Sequence, residues 1–252
     1  MKRVHHALIG PPLALAAAAC LYLALASCGD PAAEDEPQDG AAGRDAAPDV
    51  PAVIDGALPG DAGAQPDAAD AAVDACGVCA SGACTDGGCD PAVFLTSKEY
   101  TGAIGDGGVT AADDECAALA TSAGLPGKFR AWIASPGGSS PATRFESRST
   151  RPYRLVDGTR VAADYAALGS TLEAPIGLTE KRVPIVFAYV WTAAERNGNA
   201  IADGGDCAGW TSGDAGVSGG SGESDDVVEE WTKYADIACS TPARLYCFEQ
   251  RP

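Results

Sequence analysis

Apolar residues are spread unevenly along this chain. A run from Ala7 to Ala26 follows the charged pair Lys2 and Arg3, and Gly10, Pro11 and Pro12 interrupt it. The 47 residues from Gly29 to Ala75 then carry almost no aromatic or large aliphatic side chain. From Val93 onward, short apolar segments alternate with polar and glycine-rich ones. Ala92-Val93-Phe94-Leu95-Thr96 is a compact apolar run suited to a buried strand. Cys116, Leu119, Ala120 and Ala123 fall at i, i+3, i+4 and i+7, which is one face of a helix. Thr110 and Asp113 form a capping pair at its start, and Gly124 supplies the left-handed stop with Leu125 folding back. Phe129 to Ala134 reads as a strand. Arg154 to Val161 reads as a hairpin turning at Asp157-Gly158, and Asp164 to Leu168 as a short helix. Val186 to Trp191 and Arg244 to Phe248 are the remaining strands, and Gly213 to Glu230 is a long acidic Gly/Ser loop. One early helix among many strands and long loops predicts an α+β domain.

The first apolar run has the charged start, hydrophobic middle and small-residue end of a secretory signal. Leu25-Ala26-Ser27-Cys28 resembles the lipobox of bacterial lipoproteins. That resemblance implies cleavage before Cys28, a diacylglyceryl group on its thiol and residues 1–27 as signal peptide. The expected location is then the cell envelope, at the outer membrane or cell surface, with the N-terminal lipid in the membrane. Residues 28–75 read as a tether, because Ala, Asp, Pro and Gly cannot bury enough apolar surface to offset the entropy of ordering. At ~3.1 Å per residue, the 47 residues from Gly29 to Ala75 reach about 150 Å at full extension.

The formal net charge is −18. Gly29 to Ala75 holds twelve acidic residues and one basic, and Asp90 to Pro252 holds 22 acidic and 14 basic. Such a chain is repelled by nucleic acid and by anionic membrane surfaces, so nucleic-acid binding is excluded. Secretion also sets the redox state, so cysteines are read first as disulfide partners. Apart from Cys20 and Cys28, eight remain in two groups. Cys76, Cys79, Cys84 and Cys89 crowd into residues 76–90. Their C-x2-C start is compatible with zinc, but the later spacing and the oxidising compartment favour a small two-disulfide knot, with three connectivities open. Cys116, Cys207, Cys239 and Cys247 belong to the globular part, residues 91–252.

That globular part resembles the endostatin-like domains of bacterial surface lipoproteins. The resemblance rests on Ala112-Asp113-Asp114-Glu115-Cys116, Ala123-Gly124-Leu125-Pro126-Gly127-Lys128-Phe129-Arg130-Ala131-Trp132-Ile133, Tyr153, Leu155-Val156-Asp157-Gly158-Thr159, Leu168, Val190-Trp191, Asn197-Gly198, Cys207 with Trp210, Cys239, and Leu245-Tyr246-Cys247-Phe248-Glu249. It covers about Val93 to Gln250. It implies a C-type-lectin-like fold, a twisted and mostly antiparallel sheet with two helices. It also implies two nested disulfides, Cys116–Cys247 and Cys207–Cys239.

The only histidines, His5 and His6, lie in the signal segment. The mature chain therefore has no imidazole for triad catalysis or for a histidine-ligated zinc, and no cofactor or catalytic residue is expected. The endostatin family's histidine-rich zinc site has no counterpart. Its heparin-binding arginines have one echo, Arg144, Arg148, Arg151, Arg154 and Arg160, read here as a solvated, charge-balanced face. Asp113, Asp114, Glu115, Asp203 and Asp206 are available as paired carboxylates for glycoside hydrolysis, but nothing marks two of them as convergent. Glu195, Asn197, Asn199, Asp203 and Asp206 sit at positions 1, 3, 5, 9 and 12 of an EF-hand-like loop and make a weak calcium candidate. Ala200 stands where glycine is needed, and an Asn-Gly turn accounts for the segment better. Of Trp132, Trp191, Trp210 and Trp231, the last is the best placed to be exposed, although packing beneath the acidic loop is favoured. The expected function is a lipid-anchored binding or adhesion-type protein without enzymatic activity, its ligand an extracellular protein or glycan. The rivals are a structural envelope lipoprotein and a carboxylate hydrolase.

Overall fold

A computed structural model describes residues 76–251. The expected signal segment 1–27, the expected lipid site Cys28 and the expected tether 28–75 lie outside the described residues. The fold is α+β, with mostly antiparallel sheets and few helices. In chain order the strands are β1 (Cys84–Thr85), β2 (Gly88–Cys89), β3 (Ala92–Leu95), β4 (Lys128–Ala131), β5 (Tyr153–Leu155), β6 (Arg160–Ala162), β7 (Tyr189–Trp191), β8 (Ser218–Glu223), β9 (Ala235–Ala238) and β10 (Tyr246–Gln250). The helix α1 spans Val109–Ser122, a one-turn α2 spans Pro141–Arg144, and a 3-10 turn spans Ala166–Gly169.

The larger sheet runs β4-β10-β3-β5-β6, antiparallel except where β3 lies parallel to β5. Its centre is buried on both faces, which is why β3 and β10 read as continuous apolar runs rather than alternating ones. Ala92 and Phe94 enter one core with Cys116, Ala131, Ile133, Trp191 and Trp210. Val93 and Leu95 enter the other with Trp132, Tyr153, Trp231 and Phe248. The period of two along β3 thus divides a single strand between two cores.

Helix α1 covers the first core with Val109, Ala112, Cys116 and Ala120. It stops as its sequence indicates: Gly124 takes φ +69°, and the Leu125 and Gly124 amides donate to Ala120 and Thr121 carbonyls at 2.9 and 3.0 Å. Its start differs from expectation. Gly108 is the N-cap, with no side-chain cap. Asp113 is diverted, because its carboxylate accepts the Ala131 amide at 2.8 Å and holds Arg144 at 2.6 Å. It joins helix to strand instead of closing the helix end.

Four disulfides are present among the described residues. Cys116–Cys247 and Cys207–Cys239 are nested, as the resemblance implies, and Cys76–Cys84 with Cys79–Cys89 close the small knot. The knot leans on the hairpin edge of the large sheet. Ala80 is buried in the first core, Asp90 pairs with Arg154 at 2.7 Å, and Arg151 donates to the Thr85 and Gly88 carbonyls.

The second sheet, β7-β8-β9, departs most from the sequence reading. β8 lies inside the expected Gly/Ser loop. Conversely, the expected strand from Val186 shortens to Tyr189–Trp191, leaving Val186 89% and Phe187 47% exposed. Cys207–Trp210, which follows Asp206, has four consecutive positive φ values (51°, 56°, 74° and 64°) and is a left-handed turn. Asp206 caps it by accepting the Gly209 amide at 3.0 Å.

Candidate binding face

The second sheet owes its position to glycine. A Cβ on Gly219 would come within 2.6 Å of the Cys207 Sγ and 3.1 Å of both Trp191 and Trp210. One on Gly220 would meet Ala193 at 2.9 Å, and one on Gly222 would run into the Trp231 backbone. Only a strand without side chains lies this close to two indoles and a disulfide. The large side chains beside it come from Tyr189 on β7 and from the segments leading into β7 and β9.

Those side chains form an aromatic strip. Phe187, on the segment leading into β7, meets Tyr189 edge-on at 5.1 Å between ring centroids. Tyr189 stacks on Tyr234 at 6.0 Å and 22°. Tyr234 is 43% exposed and is fixed by its amide donating to the Ser221 carbonyl at 2.7 Å. The Phe187 segment is held by Ala188, whose amide donates to Ser224 Oγ at 2.9 Å and whose carbonyl accepts the Ser224 amide at 3.0 Å. The strip is thus anchored at two points, Ala188 and Tyr234, by three hydrogen bonds of which two are main chain to main chain. Exposed aromatics of this kind, apolar on the face and polar at the rim, suit recognition of sugars or peptides.

Carboxylates flank the strip. Glu223 pairs in register with Tyr189, and its amide bonds the Glu230 carbonyl at 2.8 Å. The Glu223 carboxylate raises the Tyr234 phenol above its ordinary range. Glu223 itself is pushed up by partial burial and by the neighbouring Asp225, Glu230 and Asp226. Beyond Tyr234 lies a shallow open cleft of about 240 Å³, lined by Ile201, Asp203, Lys233, Tyr234 and Asp236. Lys233 stands at its edge and bonds Glu195 at 2.8 Å.

The residues singled out from sequence have other tasks. All four tryptophans are fully buried, Trp231 included. Trp132, Trp191 and Trp210 donate their ring N–H to Thr232 Oγ1, Tyr100 O and Ala134 O at 2.8, 2.9 and 2.8 Å. The five arginines do not form a solvated face. Arg144 has a side chain only 9% exposed, paired with Asp113 and donating to the Ala131 and Ile133 carbonyls. Burial pushes its guanidinium down and the Asp113 carboxyl up, against their mutual attraction. Arg148 donates to the Ala142 carbonyl, and Arg151 and Arg154 hold the knot. Arg160 alone keeps an outward pair, with Glu173 at 3.0 Å.

The calcium loop is a hairpin turn. The Gly198 amide donates to the Glu195 carbonyl, and Asn197 Oδ1 accepts the Asn199 amide at 2.9 Å. Glu195 faces Lys233, while Asp206 is a cap that also accepts a bond from Ser135, so the five candidate ligands are not brought together. Among the described residues, no three His, Cys, Asp or Glu side chains gather into a metal-holding group. Of the candidate hydrolytic carboxylates, Asp113 pairs with Arg144, and Glu115 accepts from Tyr100 at 2.8 Å and from Lys98 at 3.1 Å. Asp203 alone lines the cleft beside Tyr234.

The aromatic strip escaped sequence reasoning because its members come from a foreshortened strand and from a turn with no apolar period. The available signal was Lys233-Tyr234-Ala235-Asp236, where a tyrosine stands among charged and small residues and has no core position to fill. No family model matches this chain, and no curated protein matches it in sequence.

Proposed function

We propose that this chain is a lipid-anchored, extracytoplasmic binding protein of the adhesion type. Cys28 carries the lipid, residues 28–75 hold the globular part off the membrane, and an endostatin-like, C-type-lectin-like domain presents the ligand face. The ligand class is an extracellular protein or a glycan, and no reaction is assigned. The observation that carries this reading is the strip formed by exposed Phe187 and Tyr234 with half-buried Tyr189 between them, anchored by backbone bonds beside a polar cleft. Eight cysteines joined in four disulfides support placement in an oxidising compartment. The shallow cleft, lined by Lys233 as well as Asp203 and Asp236, favours binding over carboxylate hydrolysis, which needs a paired acid and nucleophile or base at a fixed separation.

The test is a screen of the purified protein against glycan and matrix- or serum-protein arrays, with product analysis of every glycan bound. Capture of a discrete ligand set without cleavage is expected. Silence on every array would favour a structural envelope role, and released oligosaccharide would favour the hydrolase.

A further inference from the structure

The charge around the aromatic strip narrows the ligand. From Gly213 to Asp236 the chain carries seven carboxylates and one lysine, and that lysine bonds Glu195. Asp225, Glu229, Glu230 and Asp236 are exposed, while Glu223 and Asp226 are half-buried. Among the described residues, none of these six forms an ion pair, although Lys233 lies near enough to Glu229 to feel its charge. Three of the domain's arginines are engaged elsewhere: Arg144 and Arg154 in partly buried pairs, and Arg151 in backbone bonds to the knot. The strip is therefore an aromatic surface, electron-rich on its ring faces, with an excess of carboxylates on the segments beside Tyr189 and Tyr234.

From this juxtaposition we infer that the face binds an arginine-rich segment of a partner polypeptide, guanidinium groups lying over Phe187, Tyr189 and Tyr234 and reaching Glu223, Asp225 and Glu230. The inference rests on the binding-protein reading and specifies its ligand. Planar guanidinium both stacks on an aromatic ring and forms paired hydrogen bonds with carboxylate, which an ammonium group does not. An anionic glycan or an anionic membrane surface is repelled by the same carboxylates. A second copy of this face would bring like charge against like charge. The tether of this chain is no occupant either, with twelve acidic residues and one basic between Gly29 and Ala75.

The test is a fluorescence-anisotropy titration of the full chain with three labelled peptides: oligo-arginine, oligo-lysine of equal length, and a neutral Gly-Ser peptide. Three variants accompany the wild type: Phe187→Ala/Tyr234→Ala, Glu223→Gln/Asp225→Asn/Glu230→Gln, and the remote control Asp106→Asn/Asp114→Asn. Each variant is checked for an unchanged melting temperature. Oligo-arginine is expected to bind more tightly than oligo-lysine, with affinity falling as salt rises, and the Gly-Ser peptide is expected not to bind. Loss of two cation–π contacts is expected to weaken oligo-arginine binding by roughly tenfold. The triple neutralisation is expected to weaken it at least as much, and the remote control to leave it unchanged. Equal weakening in the remote control would reduce the effect to diffuse acidity and overturn the inference, as would undiminished binding by Phe187→Ala/Tyr234→Ala. Array ligands that depend on Phe187 and Tyr234, together with no oligo-arginine binding, would refute the cationic ligand and leave the binding-protein reading standing. No strip-dependent ligand of either kind would refute both.

Discussion

Gly219→Ala adds one methyl group to the most confined point of the second sheet. The new Cβ would sit 2.6 Å from Cys207 Sγ and 3.1 Å from Trp191 and Trp210, against a comfortable carbon contact of about 3.5–4.0 Å. None of the three neighbours is free to retreat. Cys207 is bonded to Cys239 with both residues fully buried, and the two indoles pack at 5.6 Å between centroids with their ring N–H groups anchored. Relief must come from moving β8, which is bonded to β7 and β9 on either side. Overpacking a tight core costs about 1–3 kcal/mol, and the crowding here argues for the upper part of that range. Removing a glycine from the unfolded chain returns about 0.4–1 kcal/mol. The expected net loss is therefore about 2 kcal/mol, a fall in Tm of roughly 4–8 °C for a domain of this size. Gly169→Ala is the matched control, since nothing lies within 4 Å of the place its new methyl would take and its φ is not positive. It should be neutral or slightly stabilising. Urea denaturation of both oxidised proteins decides the matter. If Gly219→Ala proves as stable as Gly169→Ala, the close packing of β8 on Trp191 and Trp210 is wrong.

Three further outcomes are expected. Replacing Cys116 and Cys247 together by alanine opens a 131-residue loop and should cost about 5 kcal/mol by loop-closure entropy, seen as a lower urea midpoint; a loss below about 1 kcal/mol would refute that role. Burial chiefly raises the phenols of Tyr100, Tyr153 and Tyr246, while unfolded tyrosines ionise near ~10. Above that pH the folded state holds more protons than the unfolded one, so stability should fall as pH rises, and tyrosinate absorbance should show these three ionising only with unfolding. Early, reversible ionisation of all tyrosines in the folded protein would contradict their burial. Finally, Cys28→Ala should abolish incorporation of radiolabelled palmitate, and continued labelling would place the anchor elsewhere.

The core elements were legible because they obey simple periods. Ala92 to Leu95, the helix face around Cys116, and the Gly124-Leu125 stop each behave as spacing and backbone preference require. The Asp157-Gly158 turn does too, with Gly158 at φ +93°. β8 was illegible because its determinants are not its own. Ser218-Gly219-Gly220-Ser221-Gly222-Glu223 has loop composition, and the large side chains that require it belong to Trp191, Trp210 and Trp231. Asp113 shows the same effect on a smaller scale, since a local capping pattern gave way to a bond with Arg144, 31 residues away. The arginine cluster misled for a related reason. Charge in sequence says nothing of the carbonyls and carboxylates that tertiary structure sets within reach, and Arg144 and Arg151 found theirs indoors. The face at Phe187, Tyr189 and Tyr234 exists only after β7, β8 and β9 pair, so no local window of sequence contains it.

The most direct measurement is a comparison of wild type with Phe187→Ala/Tyr234→Ala on the same glycan and protein arrays. Both side chains lie largely outside the cores, so the variant should melt with the wild type. Discrete ligands captured by the wild type and lost by the folded variant are the expected result. Ligands retained at full strength by the variant would contradict a binding role for this face.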